Sequence, residues 1–244
     1  MSANIPYSSE ELASLVKQNF ALLTGLNAST DEAISSVDAF EVRKICATQN
    51  STCYLIESPQ LPAPVFLKHT APKNVEEEYR SQKWVGERNL SERYRVPKHI
   101  ACMPQYGFLS MEYVPGESLV ATLLNRKLPL GSKTSAVEES AKWLANYHSL
   151  EQAGNSQVDA NERLDYLRQC LEPVWGDLQK DAKLLRCYEW LLNQAHQVSE
   201  VSLPEGVVHG DWKTENVLIA NDGVIGVDFV TERHGPQITD ITQY

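Results

Sequence analysis

Polar side chains that could hold a metal ion stand at the outer ends of a hairpin-like segment near the C-terminal end of the chain. Two short apolar runs flank Asn221-Asp222-Gly223, a turn sequence that strongly favours a β-hairpin. Pairing about Asp222 would set Asn216 opposite Asp228, since each lies six residues from that turn residue. Asp211 lies five residues before Asn216, in the segment that leads into the hairpin. Magnesium prefers such carboxylate and amide oxygens, so the sequence predicts a cation site at the open end of this hairpin.

The elements that would position these residues form two groups along the chain. Ser8 and Glu11 match a capping box and predict a first helix. Three strand-like segments follow between residues 36 and 68, which predicts an antiparallel meander, and a helix is expected from about 75 to 88. A β-rich segment closes at Pro115-Gly116, beyond which helical patterns dominate. We therefore expect an α+β fold with a β-rich N-lobe over residues 1–115 and a mainly helical C-lobe over residues 116–244.

Composition narrows the possible function classes. The 244 residues carry a net charge of -10, of which residues 151–244 contribute -9 from 16 acidic and 7 basic side chains. Nucleic acid binding needs basic patches, so a nucleic acid partner is not expected. No apolar run is long enough for a membrane span. The five cysteines are scattered without a CxxC pair, which is typical of free thiols in a reducing cytoplasm.

The segment around the hairpin resembles a known enzyme family. His209-Gly210-Asp211-x4-Asn216, followed after the hairpin by Asp228-Phe229, is similar to the catalytic loop and metal-binding segment of the aminoglycoside phosphotransferase and choline kinase-like family. Members of that family are distant relatives of protein kinases and share their two-lobed fold. The resemblance implies an enzyme that uses ATP and Mg²⁺ to phosphorylate a hydroxyl group of a small molecule.

The resemblance also implies roles for individual residues of the catalytic loop, 207–216, and the metal segment, 228–230. Asp211 resembles the aspartate that accepts the proton of the acceptor hydroxyl. Asn216 and Asp228 resemble the pair that holds magnesium on the ATP phosphates. Lys213 matches a lysine that neutralises the transferred phosphate in protein kinases.

The first half of the chain carries matching features. Lys68 ends the third predicted strand and resembles the lysine that pairs with ATP phosphates. Glu78, six residues before Trp84, resembles the glutamate that forms an ion pair with this lysine, and it is preferred over Glu76 and Glu77.

A hinge between the lobes is implied at residues 111–116. Met111, Glu112 and Val114 lie in this segment, and the backbone of Glu112 and Val114 would contact the edge of adenine. This interpretation depends on the resemblance.

Some features depart from the family pattern, and others are interpreted as structural. No GxGxxG motif precedes Lys68, and only residues 47–52 stand where a phosphate-covering loop is expected. The chain ends 16 residues after Asp228, whereas the family continues with helices that wall the acceptor pocket, so the C-lobe is expected to be shortened. Asp240 resembles an aspartate that braces the catalytic loop. His209 is interpreted as a brace of the same loop, and His148 as a core histidine.

Two other functions remain open from the sequence. A protein kinase is disfavoured by Gly210, where an arginine is expected, and by Val230, where the Asp-Phe-Gly segment has glycine. A nucleotide-binding protein without turnover is the second, since a shortened C-lobe is expected to lack the acceptor wall. Neither the acceptor nor the oligomeric state follows from the sequence.

Overall fold

The computed structural model describes residues 7–25, 40–48, 50–88, 90–157, 164–165, 168–169, 171–178, 180–198, 201–229 and 233–242. The strands are β1 (Glu41–Ala47), β2 (Ser51–Glu57), β3 (Val65–Thr70), β4 (Tyr94–Arg95), β5 (His99–Met103), β6 (Phe108–Glu112), β7 (Gly116–Ser118), β8 (Gln152–Gln157), β9 (Ser202–Val208), β10 (Val217–Ala220), β11 (Gly223–Gly226) and β12 (Arg233–Pro236). The α-helices are α1 (Ser9–Gln18), α2 (Phe20–Thr24), α3 (Pro72–Glu87), α4 (Leu119–Leu124), α5 (Leu130–His148), α6 (Trp175–Leu178), α7 (Ala182–Val198) and α8 (Ile238–Ile241).

A five-stranded antiparallel sheet forms the N-terminal part, in the order β1-β2-β3-β6-β5. The predicted meander of three strands is confirmed, and so is the capping box of α1, in which Ser8 and Glu11 bond each other reciprocally. Because successive side chains of a strand face opposite sides of the sheet, Tyr54 and Leu67 pack against α1 and α2 on one face. Lys68 lies on the other face of the sheet. Helix α3 begins shortly after β3 ends.

A second sheet joins distant parts of the chain in the order β4-β11-β10-β7. Its centre is the predicted hairpin, β10-β11, and its edges are β7, just after Pro115, and β4, which pairs in parallel with β11. The residues after Pro115 therefore begin with a short strand before the first helix. A third sheet, β12-β9-β8, leads into the segment that carries Asp211. The division of the chain into lobes at residue 115 stays a prediction.

The expected register of the hairpin was wrong by one residue. The turn contains only Asn221 and Asp222, so Ala220 pairs with Gly223 and the pairing axis lies between the two turn residues. Asn216 consequently faces Val227, whose N–H donates to the Asn216 carbonyl oxygen at 3.0 Å. Asp228 lies one residue further along the chain than its predicted position opposite Asn216.

The core of the C-terminal part is built around α5. Trp143, which is fully buried, contacts Tyr147 of the same helix and Trp212 of the segment after β9. Its indole nitrogen donates to the Arg95 carbonyl oxygen at 2.9 Å. Gly226 of β11 lies against the indole ring, and a Cβ at this position would overlap it. None of the helices in the described ranges is long and apolar enough to span a membrane.

The close approach of Gly226 to Trp143 predicts an intolerance to side chains at this position. We expect Gly226→Ala to lower the free energy of unfolding by about 1–3 kcal/mol, the usual cost of overpacking a core. Gly131→Ala is the matched control, because a Cβ there meets nothing within 4 Å; it should leave stability unchanged or raise it by up to about 1 kcal/mol. Urea unfolding of both variants provides the measurement. Equal effects would show that the contact with Trp143 does not limit residue 226.

Candidate active site

Lys68 connects the N-terminal sheet to α3 and to the hairpin. Its Nζ lies 2.7 Å from Glu78 Oε2 and 2.7 Å from Asp228 Oδ1. Strand β3 carries Lys68 to the space between the five-stranded sheet and the hairpin β10-β11, called the cleft below. Helix α3 begins two residues after the strand ends, so that its second turn brings Glu78 to the ammonium. Glu78 is buried, whereas Glu76 is exposed and Glu77 pairs with Lys73. The contact thus joins the two residues that sequence analysis paired.

The charge of Lys68 is maintained by its two partners. Burial of the Lys68 ammonium works to lower its pKa, but the carboxylates of Glu78 and then Asp228 outweigh burial and raise the pKa above its ordinary value. Lys68 therefore stays a cation at neutral pH although its side chain is only 13% exposed.

Asp228 adopts an unusual backbone conformation just after β11. Its φ is 61°, in the left-handed region, which costs a residue other than glycine about 1–3 kcal/mol. The next residue, Phe229, is buried, and its ring lies 4.4 Å from that of His209. With Phe229 packed inward, the carboxylate of Asp228 points into the cleft and is half-exposed.

Asp211 is held by two hydrogen bonds within its own loop. Its Oδ2 accepts from Lys213 Nζ at 2.7 Å and from Asn216 Nδ2 at 2.9 Å. Asn216 Nδ2 also donates to the Asp211 carbonyl oxygen at 2.8 Å. Asn216 ends a 3-10 turn (Thr214–Asn216) and is buried, whereas the side chains of Asp211 and Lys213 are partly exposed. The loop thus exposes a carboxylate and an ammonium to solvent, while the amide of Asn216 holds the side chain and the backbone of Asp211.

Residues of this loop alternate between the core and the cleft. His209 and Trp212 are fully buried and belong to one aromatic layer with Trp143, Tyr147 and Phe229. Burial lowers the pKa of His209 to about 4, so its imidazole is uncharged at neutral pH. A neutral ring buried among aromatic rings suits a packing role, and its use as the base stays disfavoured.

Asp240, in the last described helix of the chain, binds the backbone of the loop that carries Asp211. Its two oxygens accept from the backbone N–H groups of His209 and Gly210, at 2.8 and 2.9 Å. His148 Nε2 lies 2.9 Å from Asp240 Oδ2. Burial would raise the pKa of Asp240, but the bonds from His148 and the two backbone groups lower it. The carboxylate is therefore charged at neutral pH and fixes the backbone just before Asp211.

Behind the cleft, Arg95 links the hinge segment to the hairpin turn. Its two terminal nitrogens donate to Glu112 Oε2 at 2.9 Å and to Asp222 Oδ2 at 3.0 Å. Glu112 Oε2 also accepts from the Lys98 N–H, and the Glu112 N–H donates to the Lys98 carbonyl oxygen. The Glu112 N–H and one of its carboxylate oxygens are thus engaged within the protein. Val114 and Met111 are buried beside Glu112.

Six of the nine predicted site residues come together in two connected groups. Lys68, Glu78 and Asp228 form one, Asp211, Lys213 and Asn216 form the other, and the bond between Val227 and Asn216 joins them. Sequence analysis missed Arg95, and it did not connect His148 with Asp240. Asn221-Asp222 marked the turn, but its ion-pair partner 127 residues away left no local signal.

Comparison with known proteins relates most of the chain to phosphotransferases. The model of the phosphotransferase enzyme family, APH, matches residues 44–243. No curated protein matches the sequence significantly.

Solved structures with the same fold share little sequence with this chain. APH(2")-IIa, in a complex with streptomycin and ATP, is 16% identical with a TM-score of 0.56, over 97% of this chain and 75% of that one. A thermostable mutant of aminoglycoside phosphotransferase APH(4)-Ia with ADP and hygromycin B is 12% identical, TM-score 0.55, over 89% and 76%. Choline kinase from Cryptosporidium parvum Iowa II is 14% identical, TM-score 0.58, over 97% and 68%. The predicted two-lobed, kinase-like α+β fold is confirmed.

The bonds of Asp240 predict a pH-dependent contribution to stability. We expect Asp240→Asn to lower the free energy of unfolding by about 2–4 kcal/mol at pH 7, since an amide cannot replace a carboxylate that accepts three hydrogen bonds. The folded-state pKa lies below the ordinary 3.8, so this contribution is present above that value and is lost as the pH falls through the lower one. Urea unfolding at pH 7 and pH 3 should therefore show a smaller difference at pH 3.

Asp165→Asn serves as the control for charge removal alone. Asp165 is exposed and pairs with Arg168 on the surface, a contact that contributes about 1 kcal/mol or less. A similar loss in both variants would contradict the bracing role of Asp240.

Proposed function

The chain belongs to the phosphotransferase enzyme family, and we propose that it transfers the γ-phosphoryl group of ATP to a hydroxyl group of a small molecule. The observation that carries this proposal is the pair of 2.7 Å contacts that Lys68 makes with Glu78 and with Asp228. They bring a cation from the sheet and a carboxylate from the hairpin to one point of the cleft. In kinases such a lysine binds the ATP phosphates and such an aspartate binds the metal.

The donor groups present suit magnesium bound together with phosphates. Asp228 uses Oδ1 for Lys68 and retains Oδ2, and Asn216 directs Nδ2 towards Asp211, so that its Oδ1 faces away. Both are hard oxygen donors, and magnesium is typically held by one or two protein groups plus phosphate oxygens. Within the described ranges no three His, Cys, Asp or Glu side chains converge as a metal cluster. When bound, the ion would neutralise charge on the phosphates.

Asp211 is the residue we propose as the base. Its carboxylate would accept the proton of the acceptor hydroxyl as the oxygen attacks the γ-phosphorus, and the bond from Asn216 keeps it oriented. Lys213, now 2.7 Å from Asp211, would turn its ammonium to the transferred phosphoryl group. Most of the catalytic effect would come from positioning and charge neutralisation.

The adenine would lie against the hinge. The carbonyl oxygen of Glu112 and the N–H of Val114 would contact its edge, and Met111 would line the pocket beside them. Arg95 supports this arrangement because it holds the Glu112 side chain on the far side of the segment.

The acceptor would be neutral or cationic. Residues 151–244 carry a net charge of -9, which would repel an anionic acceptor already facing ATP phosphates. Streptomycin, hygromycin B and choline, named with the similar structures, carry hydroxyl groups and are basic or cationic, so they define a first panel for an ATP-consumption assay. Scattered cysteines favour a reducing location such as the cytoplasm.

The metal assignment predicts unequal effects at its two proposed ligands. Asp228→Ala should abolish magnesium-dependent nucleotide binding, whereas Asn216→Ala should weaken it less, because a carboxylate holds Mg²⁺ more strongly than an amide oxygen does. Calorimetry with ATP, with and without magnesium, measures both. Unchanged Mg·ATP affinity in Asp228→Ala would remove the metal assignment.

The role of Asp211 predicts a loss of turnover without a loss of nucleotide binding. Asp211→Asn keeps the size of the side chain but cannot accept the proton, so kcat should fall by on the order of 10²–10⁴. Mg·ATP affinity should barely change. Both are measured on one preparation, with the acceptor identified in the panel.

Glu215→Gln is the matched control for this variant. Glu215 is an exposed carboxylate in the same loop, and its neutralisation should leave kcat unchanged. Near-normal kcat in Asp211→Asn would refute the proposed base. Nucleotide binding by the wild type without any product across the panel would instead favour a binding protein without turnover.

A further inference from the structure

Two cysteines face each other across the first two strands. Cys46 of β1 and Cys53 of β2 are directly opposed, and the Cys46 side chain is close enough to raise the pKa of the Cys53 thiol. Directly opposed residues of antiparallel strands have Cα atoms about 4.5–5.5 Å apart, which lies within the range that disulfides span. The side chains of such a pair also share one face of the sheet.

A local irregularity produces this pairing. Between Glu41 and Lys44 the register of β1 with β2 would set Ile45 opposite Cys53. The register shifts between Lys44 and Cys46, as in a β-bulge, and Cys46 takes that place instead. The shift is thus what brings the two sulfur atoms into register.

The cysteine pair lies beside Lys68. Cys53 is directly opposed to Lys68 in the pairing of β2 with β3, which places their Cβ atoms about 5 Å apart. The charge of Lys68 lowers the pKa of the Cys53 thiol, and the charge of Asp228 raises it. Any change at this sulfur is therefore a change at the wall of the candidate active site.

The two thiols differ in access. Cys46 is exposed, whereas Cys53 is buried, and burial followed by the neighbouring Cys46 side chain raises the pKa of the Cys53 thiol. A small oxidant from solution would therefore meet Cys46 first. Cys53 lies in position to react with the product.

We propose that Cys46 and Cys53 form a reversible oxidation site that responds to hydrogen peroxide. The Cys46 thiolate attacks one peroxide oxygen, the O–O bond breaks, and the departing hydroxide takes a proton to leave as water. The Cys53 thiol then attacks the sulfur of the Cys46 sulfenic acid, the S–S bond forms, and the S–O bond breaks with loss of a second water that carries the Cys53 proton. Peroxide gains two electrons, and each sulfur loses one.

The disulfide would fix the turn between β1 and β2, beside the strand that carries Lys68. It closes the loop 46–53, in which the Thr48 hydroxyl oxygen accepts from the N–H groups of Asn50 and Ser51. If nucleotide phosphates bind at Lys68, a consequence that rests on the proposed function, they would shield the two thiols from solvent.

Peptide mapping of the oxidised chain tests the site directly. The full chain is treated with hydrogen peroxide, alkylated and digested, and we expect a peptide pair joined through Cys46 and Cys53 that is absent after treatment with dithiothreitol. C46S and C53S should give no such pair. C187S, which removes another exposed thiol, should give it as the wild type does. Failure to find this disulfide while Cys187 is oxidised would overturn the proposal, as would sulfinic acid at Cys46 with Cys53 still reduced.

The rate of disulfide formation separates this inference from the proposed function. ATP with magnesium at ten times its dissociation constant leaves about one molecule in eleven unoccupied, so full shielding would slow formation about tenfold. A disulfide that forms equally fast with bound nucleotide supports the oxidation site and counts against phosphates at Lys68. Slower loss of the Cys46 thiol to peroxide with bound nucleotide, without a mapped Cys46–Cys53 disulfide, would overturn the oxidation site and leave the nucleotide position supported.

Discussion

The stacking of Trp212 on Trp143, with ring centroids 4.7 Å apart and 12° between the planes, determines how the candidate active site is presented. Trp212 separates Asp211 from Lys213, and its burial forces both neighbours to face the opposite side. Phe229 of the second segment lies against the same indole in a tilted contact, with ring centroids 6.2 Å apart, and turns Asp228 outward. A single aromatic layer therefore orients the polar groups of two chain segments, and the hydrophobic effect supplies most of the energy that holds them there.

The charged groups of the cleft could not hold this arrangement unaided. Lys68 is 13% exposed, and removing its charge from water is costly. Its two carboxylate partners mainly offset that cost and add little net stability. Glu78 belongs to a helix that packs on the sheet, whereas Asp228 follows the hairpin and is half-exposed. The contact with Asp228 is the one that a ligand in the cleft can rearrange, since water can solvate the displaced carboxylate.

Sequence analysis worked best where the relevant residues are local. The spacing of Asp211 and Asn216 is set within one loop, and Asn221-Asp222-Gly223 has turn chemistry that identifies a hairpin. Its register was misplaced because turns of two and three residues differ by only one position, and backbone geometry at the turn decides between them. The pairing of Cys46 with Cys53 depends on a register shift that no residue type announces. Long-range contacts, such as that of Arg95 with Asp222, arise from packing and left no periodic signal.

The two bonds of Arg95 also fix one side of the five-stranded sheet to the hairpin turn. Arg95 ties Glu112 at the end of β6 to the hairpin turn, so a rotation of the five-stranded sheet that kept both bonds would leave this side in place. In the order β1-β2-β3-β6-β5, strand β1 lies three strand spacings from β6, a lever arm of about 14 Å. A rotation of about 5° would then displace β1 by about 1 Å while hardly moving the hinge. A small rotation of the sheet would thus produce its largest displacement at β1, the strand that carries Cys46.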